Sequence, residues 1–146
     1  MLDELGRSGR FEVHVKLTKA DGGPGYPKKQ FYRVLAESKV AISPWGFGEV
    51  CIRDFEAILA GCVMIKPDMG HALTDPLVYR KGETYLACRR DFADVPDLVA
   101  DVVNRWEHFR DMRQHAYEAV QAARDPQVVA AQVAALIRRG VAMGHP

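Results

Sequence analysis

Residues 40–65, VAISPWGFGEVCIRDFEAILAGCVMI, decide the fold. Val40, Ala41 and Ile42 form a short, apolar and largely β-branched run, the mark of a buried strand. Ser43, Pro44, Trp45, Gly46, Phe47 and Gly48 interrupt regular structure. The stretch 50–60 then repeats apolar residues at Ile52, Phe55 and Leu59, a helical spacing closed by Gly61 where a C-terminal glycine belongs. A second short apolar run, 63–65, begins at once. Strand, glycine-broken loop, helix and strand in that order make one crossover of a parallel sheet. Backbone N–H groups of the loop and the positive end of the helix dipole together predict an anion site, with phosphate as its occupant.

Upstream, Phe11, Val13, Val15 and Leu17 alternate with polar residues, so 11–17 reads as a strand with one buried face. The segment DGGPGYPKK at 21–29 is a loop, and 30–38 carries Phe31, Val34 and Leu35 at helical spacing. Downstream, 66–80 contains Pro67, Gly70 and Pro76 and reads as a long loop with room for a short helix. A short strand follows at 84–87, and Pro96 opens a helix running to Trp106. Two amphipathic segments, 108–123 and 126–139, are divided by Asp125-Pro126. The pattern is α/β: a three-layer, Rossmann-like parallel sheet flanked by helices, in one domain over 1–146 with 108–146 as a helical C-terminal segment. Ligands of such sheets bind beyond the carboxyl ends of the strands, where the loops beginning at Gly46 and Lys66 converge on one cleft.

Twenty basic against nineteen acidic residues leave a net charge of +1, which argues against the broad basic surface needed for nucleic acid or anionic membrane. Any positive patch is local. Cys51, Cys62 and Cys88 lack the close pairing of a zinc or redox motif and read as reduced thiols. No apolar run has the length of a membrane span, and the opening MLDELGRSGR lacks a secretory hydrophobic stretch, so a cytoplasmic location is expected.

The residues Phe31-Tyr32, Ser43-Pro44, Gly46, Gly48-Glu49, Arg53, Phe55-Glu56-Ala57 and Ala60-Gly61-Cys62 resemble the nucleotide-sugar-binding half of GT-B glycosyltransferases, notably the exostosin-like branch and similar bacterial enzymes of family 1 type. The likeness runs from about 31 to 95, continuing through Pro67-Asp68, Thr84-Tyr85 and Asp91-Phe92. It implies that Arg53 offers bidentate hydrogen bonds to a diphosphate, that Glu56 accepts from a ribose diol, and that Glu49 lies toward the sugar or its diphosphate. Basic residues reaching the diphosphate from earlier in the chain would correspond to Lys16 or Lys19. The ligand implied is a nucleotide-diphosphate sugar, with no cofactor and no metal. The glutamates stand one residue closer than in the better-known retaining pattern, so the stereochemical course is not implied. A GT-B enzyme has two such domains and takes its catalytic base from the first. The chain therefore resembles a donor-binding half that becomes a hexosyl- or pentosyltransferase when an N-terminal domain or partner subunit completes it, and no catalytic residue is assigned. The alternative is a non-catalytic α/β module for nucleotide binding or partner docking.

The nucleotide-sugar candidates are thus Gly46, Phe47, Gly48, Glu49, Arg53, Glu56, Lys66 and His71. Each has a plainer reading beside it. Glu49, Arg53 and Glu56, spaced four and three apart on one helix face, also suit a solvated ion-paired surface. Gly46 and Gly48 suit a tight turn, Trp45 and Phe47 the core, His71 an exposed loop, and Lys66 a solvated strand end. Asp91 and Asp94 read as organisers of the approach to the Pro96 helix.

Overall fold

The computed structural model describes residues 11, 12, 23, 25–45, 48–72, 74 and 77–143, with only the backbone of 136 and 139–143. The strand expected at 11–17 lies outside the described residues except for Phe11 and Glu12, as do Lys16, Lys19, Gly46 and Phe47.

Helix α1 (Lys28–Glu37) leads into β1 (Val40–Ile42), helix α2 (Ile52–Leu59), β2 (Val63–Pro67) and β3 (Leu86–Cys88). The strands form a parallel sheet in the order β1-β2-β3, with Val40 opposite Val63 and Ile65 opposite Leu86. Helix α3 (Val95–Asn104), a 3-10 turn (Trp106–Phe109), α4 (Arg110–Arg124) and α5 (Pro126–Met143) complete the described chain. The fold is therefore α/β, a parallel sheet between helices with a helical C-terminal part.

Strand β2 is buried along its length and sorts its side chains by strand alternation. Val63 and Ile65 face α3 and the 3-10 turn, meeting Val95, Val99, Val102 and Phe109. Met64 faces the other way, into a core of Ile58 from α2 and Ala116 and Val120 from α4. The connection from β2 to β3 contains no helix among the described residues. It covers the sheet with Met69, Val78, Tyr79 and Tyr85, which enter the same core as Met64.

Local chemistry explains the element ends. Gly61, at φ +84°, ends α2 in a Schellman arrangement: its N–H donates to Ile58 O, and Cys62 N–H donates to Ala57 O, both at 3.0 Å. Asp91 accepts from Ala93 N–H at 3.1 Å and Asp94 accepts from Arg89 N–H at 3.0 Å, ordering the entry to α3.

The helix bounds shift by a few residues from expectation, and three differences concern the sheet and its first crossover. The strand at 63–65 extends to Pro67, because Lys66 and Pro67 remain in register with Ala87 and Cys88. The strand expected at 84–87 occupies 86–88, with Lys81 and Tyr85 forming a single parallel bridge before it. Helix α2 starts at Ile52 with Cys51 as its N-cap, later than the expected start at 50. Its buried face is Asp54, Ala57 and Ile58, whereas Ile52 is 76% exposed and Leu59 37%. Of the apolar positions 52, 55 and 59 only Phe55 packs against the core, and the inward face of α2 instead carries Asp54, opposite a buried charge from β2.

Candidate functional site

That charge is Lys66. Its side chain leaves β2 on the Met64 face, is fully buried, and lies 3.2 Å from the equally buried carboxylate of Asp54. Asp54 is the third residue of α2 and closes a capping box with Cys51, accepting the Cys51 N–H at 3.1 Å. It also accepts a short hydrogen bond from the Ser43 hydroxyl, and the Tyr79 hydroxyl donates to it at 2.7 Å. Burial and this bond to Asp54 push the Tyr79 hydroxyl pKa far above its ordinary value. Four elements are pinned at one carboxylate: the end of β1, the start of α2, the end of β2 and the loop before β3. A buried ion pair is tolerated when further hydrogen bonds satisfy it in this way.

The expected role of Lys66 is corrected by this arrangement. Its ammonium faces Asp54 and, at 3.5 Å, the Ser43 carbonyl, and has no exposed surface to offer a ligand. Sequence reading missed Asp54 because Cys51 is an unusual N-cap. The Cys-x-x-Asp spacing of a capping box was the available signal.

Above this network three loops meet at the carboxyl edge of the sheet. Trp45 follows β1, His71 follows β2 and Arg90 follows β3. The His71 ring stands edge-on to Trp45 with centroids 5.9 Å apart, and the Arg90 guanidinium lies 4.9 Å from the centre of the Trp45 ring. His71 Nε2 is 2.5 Å from a carboxylate oxygen of Glu49, joining the two loops expected to form the cleft. The loop carrying His71 is braced from below. Met69 N–H donates to the buried Tyr85 hydroxyl at 2.9 Å, and Asp68 binds Gly70 N–H and Lys81 Nζ, each at 2.8 Å. No family model, curated protein or solved structure matches the chain.

The remaining candidates separate from one another. Glu49 precedes α2, so it does not share a helix face with Arg53 and Glu56, and its carboxylate turns to His71. Glu56 turns to α1, where the Tyr32 hydroxyl donates to Oε1 at 2.6 Å. Arg53, in the first turn of α2, is exposed, and its guanidinium makes no ion pair or hydrogen bond with the described residues. Gly48 is exposed; its φ is not in the left-handed region, and a Cβ there would meet nothing closer than Val50 O at 3.9 Å. Neither strain nor crowding demands a glycine at 48.

Among the described residues no three His, Cys, Asp or Glu side chains are grouped to hold a metal ion, and no helix is long and apolar enough to cross a membrane. A groove of about 510 Å³ lined by Lys39, Asn104, Trp106 and His108 lies where β1 begins, at the opposite edge from Trp45, His71 and Arg90.

Proposed function

We propose that this chain is the donor-binding half of a glycosyltransferase, holding a nucleotide-diphosphate sugar over the carboxyl edge of its sheet. The observation that carries the reading is the meeting of Trp45, His71 and Arg90, from the loops after three parallel strands, at the edge where such sheets bind ligands. Arg53 has an unengaged planar guanidinium at a helix start, suited to two oxygens of a diphosphate. Glu56 has one oxygen occupied by Tyr32 and a second available to a ribose hydroxyl. Gly48, with no conformational need for glycine, admits a ligand close to the backbone. Glu49 and His71 border the sugar. Lys66 has no direct part: it holds Asp54, and through it the start of α2, in place.

This half contributes electrostatic stabilisation of the departing nucleotide diphosphate through preorganised donors, and the acceptor base comes from a second domain or subunit. A docking role is favoured separately by Val129, Val133 and Ile137, which lie four residues apart along α5 and are all exposed.

Calorimetric titration of the purified chain with UDP, GDP, ADP, dTDP and their sugars tests the reading. One base is expected to bind selectively, with Arg53→Ala and Glu56→Ala each weakening it about tenfold. A folded chain that binds none of them, or binds equally well without Arg53, overturns the donor role and leaves partner docking.

A further inference from the structure

We propose that Arg90 and Trp45 form a receptor for a phosphoryl group, with the Trp45 ring the platform beside which the guanidinium is held and Arg90 the hydrogen-bonding group that meets the phosphate oxygens. The pair of arginines after β3 is divided in its use. Arg89 grips Asp91 through Nε at 3.0 Å and a terminal nitrogen at 2.7 Å. Among the described residues the Arg90 guanidinium makes no hydrogen bond or ion pair, and it lies 4.9 Å from the centre of the Trp45 ring.

A guanidinium beside an indole ring is held by attraction between cation and ring. That attraction takes up none of the N–H donors of the guanidinium, which are left for another partner. Their planar arrangement matches two oxygens of a phosphate, which an arginine binds as a fork.

The local carboxylates are directed elsewhere. Asp91 accepts from Arg89 and from Ala93 N–H, interactions that hold its pKa at about 2. Asp94 accepts from the Arg89 backbone N–H through both oxygens. Glu49, the acid nearest along the chain of contacts through Trp45 and His71, faces His71. Arg90 is thus a cation at the carboxyl edge of a parallel sheet, beside an aromatic ring and paired with no acid among the described residues. Sequence reading had passed over it, since two adjacent arginines read alike until their partners are known.

The inference deepens the proposed function by naming a phosphate contact, and rests on that reading only in taking the carboxyl edge as the ligand side. Calorimetry of the full chain with inorganic pyrophosphate, a hexose 1-phosphate and a nucleoside diphosphate tests it. Trp45 emission in a Trp106→Phe background gives a second readout, because the chain has 2 tryptophans.

Arg90→Ala is expected to weaken pyrophosphate at least about tenfold, and Arg90→Lys several-fold, since an ammonium does not bind two phosphate oxygens as a fork. Arg89→Ala, with matched thermal stability, is expected to stay within about twofold. Absence of binding by all three probes, or an Arg90→Ala affinity within about twofold of the parent, overturns the receptor. Pyrophosphate binding that depends on Arg90, without nucleotide binding, supports the receptor and removes the donor reading. Nucleotide binding indifferent to Arg90 does the reverse.

Discussion

Removing Asp54 leaves the Lys66 ammonium buried with the Ser43 carbonyl, at 3.5 Å, as its one acceptor among the described residues. It also strips the N-cap Cys51 N–H and the Ser43 and Tyr79 hydroxyls of their acceptor. Breaking a buried pair from one side costs about 3–5 kcal/mol, so Asp54→Ala is expected to lose that much. Domains of this kind have about 5–15 kcal/mol in all, and the variant sits near the limit of folding. The opposite removal is milder. In Lys66→Met the Asp54 carboxylate keeps three donors, and the flexible thioether fills the space of the lysine stem. A loss of about 1–3 kcal/mol is expected. The double variant Asp54→Ala/Lys66→Met is then more stable than Asp54→Ala alone, because it no longer buries an orphaned cation. Urea unfolding followed by far-ultraviolet circular dichroism, extrapolated linearly, measures all three. The reasoning fails if Asp54→Ala costs under about 1 kcal/mol, or if Lys66→Met adds its full single-variant penalty to Asp54→Ala. Nucleotide affinity of Lys66→Met is expected to equal that of the parent, in contrast to a lysine that touches the diphosphate.

Burial raises the thiol pKa of Cys62 and of Cys88 from 9.0 to about 11 each, while Cys51 is half-exposed. One thiol is therefore expected to react with a soluble disulfide reagent at pH 8 in the native protein, and three in urea. These groups ionise sooner in the unfolded chain, so unfolding releases their protons as pH rises from 9 to 11. Their contribution to stability is present below pH 9 and is lost across that window, which urea titrations at successive pH values measure. Tyr85→Phe deprives the buried Met69 N–H of its acceptor and is expected to cost about 1–3 kcal/mol, with faster hydrogen exchange at Met69 and a looser His71 loop.

Much of the fold was legible in single residues. Val40 to Ile42 and the run at 63–65 are apolar and short, so strands there needed no tertiary information. Gly61 marked the end of α2 because only a residue without Cβ takes φ +84° at low cost. Pro96 marked the first turn of α3, where a missing N–H does no harm. The convergence of two loops was legible as well, since parallel strands must release their chains at one edge, and the Glu49–His71 contact joins the two named.

The facing of α2 and the partners of its charges were not legible. Periodicity points apolar residues inward and Phe55 does pack on the core, but Asp54 is buried too, paired with Lys66 at the end of β2, while Ile52 is exposed. The partners stand 12 positions apart in sequence, and no local pattern links them. The same holds for Arg90 and Trp45, brought within 4.9 Å by the register of three strands. Local composition and spacing determine where elements begin, end and alternate, because those depend on backbone conformation within a few residues. Which charge is buried, which is paired and which stays free for a ligand is decided by tertiary structure, because it depends on distances between side chains that only the assembled sheet sets.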